Sequence, residues 1–236
     1  MKPFKFKQFT IHQDRSAMKV GTDGVLLGAV ASLKNHPNSI LDIGAGTGLI
    51  ALMLAQRSSA ETIDAIELDE SAYEQCVENF EASPWANRLF CYHASFQEFY
   101  REMEEHYEVI VSNPPFFSEN VSSRSSSRDQ ARQNNALPFE HLFEGVEKLL
   151  AKTGIFAVII PKTQEKRVLE LAKQMRLFPF EILRIKGNPN VPFKRCILQF
   201  SYMETPISEK ELIIELERHE FTNAYINLTK DFHPHL

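Results

Sequence analysis

Short apolar runs bounded by turn residues recur at 40–43, 62–66, 89–92, 107–111 and 155–160, each of strand length rather than helix length. Between and after them lie amphipathic stretches at 51–56, 70–80, 139–150 and 164–175. Such alternation predicts a mostly parallel sheet with helices on both faces. Two further runs, 180–185 and 196–202, bring the strands to seven; the segment 186–195 between them, with Gly187, Pro189 and Pro192, predicts a surface loop. Asp69 is placed to cap the helix 70–80, as Ser71 also is, and Pro138 stands at the start of 139–150. Gly154 falls where a glycine closes the helix 139–150. Near the amino end, 25–33 predicts an apolar helix capped by Thr22 or Asp23. No Pro/Gly/Ser linker and no repeat divides the 236 residues, so the expectation is one domain: an amino-terminal extension 1–38, a core 39–205 and a strand/helix extension 206–236.

The turn after the run 40–43 reads Asp42-Ile43-Gly44-Ala45-Gly46-Thr47-Gly48. Glycines at this density let backbone pass close under a ligand, and the helix that follows offers it free N–H groups. A dinucleotide fingerprint would carry its third glycine one place later. The present spacing, with an acid in front, resembles the S-adenosylmethionine loop of class I methyltransferases, in which the acid (here Asp42) orients the loop and the cofactor's polar end. A ligand-free strand-to-helix turn is the bland alternative. Glu67 ends the next strand 19 residues after Gly48, where an acid accepts hydrogen bonds from ribose hydroxyls.

The run 107–111 leads into Asn113-Pro114-Pro115-Phe116. The exocyclic amino group of adenine is a poor nucleophile because its lone pair is delocalised into the ring. Two acceptors, the Asn113 side-chain oxygen and the Pro114 carbonyl, suit its two N–H groups and would localise that lone pair. The prolines stiffen the turn by fixing φ, and Phe116 is suited to stack on the base, a contact worth roughly 1–3 kcal/mol. Positioning would supply the rest of the catalysis, with no metal. Taken alone, the tetrapeptide also reads as an ordinary proline turn.

With Phe6-Lys7-Gln8-Phe9, the stretch from His12 through Met18-Lys19-Val20-Gly21-Thr22-Asp23-Gly24, the segment 41–56, Ser83-Pro84-Trp85-Ala86, the Asn-Pro-Pro-Phe turn and the tail from Ala224-Tyr225 to Asp231-Phe232, the chain resembles nearly end to end the bacterial tRNA (adenine-N6)-methyltransferases that act on adenosine 37 of a valine tRNA. The resemblance implies a Rossmann-like class I fold, with a seven-stranded, mostly parallel sheet and an antiparallel edge hairpin made by 180–185 and 196–202. It implies S-adenosylmethionine as cofactor, bound by Asp42, Gly44, Gly46, Gly48 and Glu67. Lys19 and Thr22 would border the methionine end, although a helix cap with a packing role explains them equally well. Two places depart from the family pattern. Phe116 stands where tyrosine is common, which costs only a hydroxyl, and Ser95 stands near where many relatives carry an acid for the cofactor's adenine; its hydroxyl or a backbone group there would meet that adenine's amino group instead.

Formal net charge is −5, so the overall field repels nucleic acid and a local basic patch must overcome it. Three candidates exist: Arg124, Arg128 and Arg132, every fourth residue after the catalytic turn; Lys2, Lys5 and Lys7 among Phe4, Phe6 and Phe9; and Lys186, Lys194 and Arg195 around the last hairpin. Each taken alone also reads as a solvated surface. The cysteines Cys76, Cys91 and Cys196 are too scattered for a zinc site or a disulfide framework, and the eight histidines show no ligand spacing beyond His233-Pro234-His235. No run approaches a membrane span and no signal-peptide core leads the chain, so the expectation is a cytoplasmic monomer acting on tRNA without metal. Rival functions are a release-factor glutamine methyltransferase, a ribosomal guanine-N2 methyltransferase, a DNA adenine methyltransferase and a non-enzymatic RNA chaperone. The first three usually add a domain that this chain lacks, and the last leaves the intact catalytic turn without a use.

Overall fold

The computed structural model describes residues 2–115 and 137–233. An amino-terminal ribbon, β1 (Phe4–Lys5) with β2 (Thr10–Ile11), precedes helix α1 (Thr22–Val30). The core then alternates β3 (Ser39–Ile43), α2 (Leu49–Arg57), β4 (Thr62–Glu67), α3 (Glu70–Glu81), β5 (Leu89–His93), α4 (Phe96–Glu102) and β6 (Tyr107–Ser112). After the undescribed stretch come α5 (Phe139–Leu149), β7 (Leu150–Pro161), α6 (Glu165–Gln174), β8 (Phe178–Lys186) and β9 (Arg195–Ser201). The chain ends with β10 (Ser208–Ile213), a small ribbon of β11 (Glu215–Glu217) with β12 (Glu220–Phe221), and α7 (Asn223–Thr229).

The main sheet has the order β10-β8-β9-β7-β6-β3-β4-β5, and only β9 runs against its neighbours. Among the described residues it therefore holds eight strands, not seven, and the β8–β9 hairpin is not its edge, because β10 pairs parallel to β8 outside it. The sequence hid β10 for a physical reason. Ser208-Glu209-Lys210-Glu211 is exposed on both faces and only Leu212 is buried there, so no apolar alternation marks the strand.

Burial on both faces explains the continuous apolar runs of the central strands. One core gathers Leu26, Leu27, Leu52 and Met53 under α1 and α2; the other gathers Phe143, Phe156 and Phe200 under α5. Gly28 lets α1 and α2 approach closely, since a Cβ there would stand 2.7 Å from the Met53 sulfur.

Several local expectations shift. Helix α1 spans 22–30 rather than 25–33, and its cap is the extended backbone of Gly21, without a side-chain bond from Thr22 or Asp23. Asp69, not Ser71, caps α3 by accepting the Ala72 N–H at 2.9 Å. Gly154 does not close α5: Leu150 ends that helix, and Gly154 lies within β7. The chain enters the strand directly, so no left-handed residue is needed at that junction.

Candidate active site

The carboxyl ends of β3 and β6 lie side by side at the centre of the sheet. The chain leaves β3 toward β4 on one side and returns to β6 on the other, so a crevice opens between these two ends, the usual ligand position in open α/β sheets. The glycine loop follows β3 and Asn113 follows β6.

Gly44, Gly46 and Gly48 all take left-handed backbone angles, with φ of 74°, 57° and 79°. They serve different needs. A Cβ on Gly44 or Gly46 would meet nothing within 4 Å, so both border open space, whereas one on Gly48 would stand 2.5 Å from a Phe80 ring carbon. The first two leave room for a ligand; the third allows α3 to pack against the start of α2. The loop is braced from β4: the N–H groups of Gly44 and Ala45 donate to the Ile66 carbonyl at 2.9 and 3.0 Å, and Gly46 N–H donates to Glu67 Oε2 at 2.8 Å. Glu67 Oε1 accepts from Asp69 N–H at 2.8 Å. Burial raises the Glu67 carboxyl above its ordinary value.

Asp42 is fully buried beneath the loop, and its Oδ2 accepts Ala51 N–H of α2 at 3.1 Å. Its Oδ1 is buried with no hydrogen-bond partner among the described residues. Desolvation pushes this carboxyl up to about 7. An orphaned buried oxygen, an open cradle over two glycines and an acid at the neighbouring strand tip fit a ligand with a cationic end and ribose hydroxyls.

Asn113 is half-buried at the exit of β6, followed by buried Pro114. Phe116 and the arginines Arg124, Arg128 and Arg132 lie outside the described residues. Ser95 stands at the exit of β5, but its hydroxyl donates to Glu98 Oε2 at 2.7 Å and accepts Glu98 N–H at 3.2 Å in a capping box for α4. Both of its hydrogen-bonding roles are thus occupied locally. Lys19 is similar: its Nζ donates to the Ser16 carbonyl at 2.6 Å and to that of Gln13. It staples the segment 13–19 into a loop rather than reaching toward the cradle. Thr22 is exposed at the start of α1, and the next residue, Asp23, pairs with Arg195 Nε at 2.8 Å.

The two basic patches among the described residues do not share one rim. Lys194 and Arg195 stand where β9 begins, beside the end of β7, with Lys162 N–H donating to the Lys194 carbonyl at 3.0 Å. That places them on the Asn113 side of the sheet, and the Lys194 side chain is exposed. Lys5 is exposed on β1. Lys7 is tied to the chain's other end, its N–H to the Phe232 carbonyl at 2.8 Å and its Nζ to that of Lys230 at 2.5 Å. Gln56, in the last turn of α2, holds the same segment through Asp231, so Lys7 sits at the end of α2 away from the glycine loop. Phe6 and Phe9 beside these lysines are not free to stack on bases either, because both are core residues.

Three site-forming residues escaped the sequence reading. Asn79 donates from Nδ2 to the carbonyls of His12 and Thr47, both at 2.9 Å, and its Oδ1 accepts His12 N–H at 2.8 Å. Gln75 accepts Arg15 N–H at 2.9 Å. These two buried amides clamp residues 12–15 onto α3 beside the glycine loop. Two polar residues on the buried face of an amphipathic helix were the available signal. Ser112, a buried hydroxyl closing an apolar strand, is the third.

No helix among the described residues is long and apolar enough to cross a membrane, and no cluster of His, Cys, Asp or Glu among them is suited to hold a metal ion.

Residues 20–176 match the methyltransferase small domain family. A Christiangramia forsetii protein named tRNA1(Val) (adenine(37)-N6)-methyltransferase is 55% identical over 233 residues, covering 98% of this chain and 97% of that protein. A Bacteroides fragilis protein of the same name is 41% identical over 231 residues, covering 98% and 97%. Among solved structures, an Agrobacterium tumefaciens protein described as a predicted O-methyltransferase superposes with a TM-score of 0.68 at 18% identity, covering 89% of this chain and 96% of that one. That likeness concerns the fold alone.

Proposed function

This chain belongs to the methyltransferase small domain family, and from that premise we propose that it methylates N6 of an adenine in tRNA with S-adenosylmethionine as donor. The observation that carries the reading is the placement of the Asn113 turn one parallel strand from an open, braced glycine loop. The names of relatives similar over nearly the whole chain support adenine N6 as the acceptor, and adenosine 37 of a valine tRNA as the target.

S-adenosylmethionine supplies an activated methyl on a sulfonium. Gly44 and Gly46 give it room, Asp42 faces its cationic end, Glu67 faces its ribose, and Gly48 and Thr22 border the site. Asn113 accepts one N–H of the adenine amino group through its side-chain oxygen and Pro114 the other through its carbonyl, which localises the nitrogen lone pair. Phe116 stacks on the base. Phosphates of the tRNA meet Lys194 and Arg195, with Arg124, Arg128, Arg132 and Lys5 as further contacts. The chain acts as one monomeric domain in the cytoplasm.

Mass spectrometry of tRNA nucleosides from a strain lacking the protein tests the substrate, with loss of N6-methyladenosine from one tRNA expected. Asn113→Ala tests the mechanism. It should keep cofactor and tRNA affinity but lose roughly 10²–10³ in single-turnover rate, as removal of one preorganised hydrogen-bonding group typically does. A near wild-type rate would rule out the role given to Asn113.

A further inference from the structure

We propose that Ser112 is a positioning residue that sets the spacing between the cofactor loop and the catalytic turn, an inference that rests on the methyl-transfer reading above. Ser112 and Ile43 stand opposite each other in the parallel β3–β6 pair, and each is the last residue of its strand. One residue further on the two chains part: Gly44 begins the glycine loop and Asn113 begins the turn.

The Ser112 hydroxyl, with no exposure to solvent, donates to the Ile43 carbonyl at 2.9 Å. Packing gives no reason for a serine here. The rest of the strand's buried run is Val109, Ile110 and Val111, and a buried hydroxyl costs free energy unless it is hydrogen-bonded. Its bond does something the backbone cannot. Beyond Asn113, Pro114 and Pro115 have no N–H, so the ladder from β6 cannot extend further along the turn. On the other side, Gly44 and Ala45 N–H are both turned away to Ile66 of β4.

The hydroxyl is therefore a side-chain tie across β3 and β6 at the level where donor loop and acceptor turn separate. Methyl transfer depends steeply on that separation, since a misplacement of about 1 Å can cost about 10²-fold in rate. Ser112 touches neither reactant; it acts through Ile43 and Asn113.

Substitutions at this one position separate geometry from fold. Ser112→Ala removes the tie, Ser112→Thr keeps the hydroxyl, and Ser112→Cys keeps the size with a much weaker donor. Ser112→Ala should bind S-adenosylmethionine and tRNA within about twofold of wild type, yet lose roughly tenfold or more in single-turnover rate at saturation. Ser112→Thr should recover most of that rate and Ser112→Cys only part of it. A wild-type rate in Ser112→Ala would overturn the inference, as would a rate loss that merely follows lost cofactor affinity or a lowered Tm. If Ser112→Ala does not fold, equal rates in the threonine and cysteine variants overturn it instead. A wild-type chain that leaves tRNA adenine unmethylated fails differently, by removing the function on which the inference rests.

Discussion

At the scale of single residues, Asp42 joins cofactor chemistry to stability. Its carboxyl is buried, has one unpartnered oxygen, and is pushed up to about 7 by desolvation, with Glu67 adding repulsion. The folded state thus holds this proton to higher pH than the unfolded chain does, and stability present at low pH is lost as pH rises from the unfolded carboxylate range through about 7. The expected contribution is on the order of 3–4 kcal/mol across that window. Asp42→Asn cannot charge and should flatten this limb, so that denaturant midpoints of variant and wild type converge near pH 4 and diverge in the variant's favour near pH 8. Parallel midpoint curves would show that Asp42 does not titrate in that window. A cofactor ammonium near Oδ1 would favour the charged form, so the same residue that weakens the cofactor-free fold at neutral pH strengthens binding.

At the scale of elements, the segment 12–20 is an irregular strap held by side chains. Asn79 and Gln75 fasten its beginning to α3, Arg15 pairs with Glu74 at 3.1 Å and with Glu78, and Lys19 closes the loop. Asn79→Ala would cut its tie to Thr47 and so to the glycine loop. Hydrogen exchange at 12–20 should then quicken while β3 and β6 keep their protection; unchanged exchange in the strap would show that Asn79 does not hold it. The contrast with the core marks what a sequence can reveal. The strands 109–111 and 155–160 were legible because burial on both faces writes itself as an uninterrupted apolar run, and the glycine loop because three left-handed residues demand glycine. The places of Asp42 beneath that loop and Glu67 beside it were legible from spacing within one βαβ unit. The strap was not: its partners lie some 60 residues away, and a glutamine bound to backbone reads like any polar helix residue. Strand β10 was hidden by its charged side chains, and the local bonding that engages the polar atoms of Lys19 and Ser95 is invisible in sequence.

At the scale of the whole molecule, charge decides how RNA approaches. The chain is net −5, and α3 presents Glu70, Glu74, Glu78 and Glu81, with Arg15 offsetting two of them. Lys194 and Arg195 lie across the crevice on the β7–β9 side, and on the proposed function RNA would reach Asn113 from there. If Lys194 meets a phosphate, Lys194→Ala lowers the slope of log affinity against log salt by about 1, without altering the single-turnover rate at saturation. Anisotropy titrations at several salt concentrations would read that slope; parallel lines for variant and wild type would remove Lys194 from the interface.

The junction of Lys7 with Phe232 also sets how the chain must close on itself. Phe6 and Phe9 share their core with Tyr225 and Phe232, and Lys7 meets Lys230 across a sequence separation of 223, so the opening ribbon completes its packing only when residues beyond the last strand of the main sheet are in place.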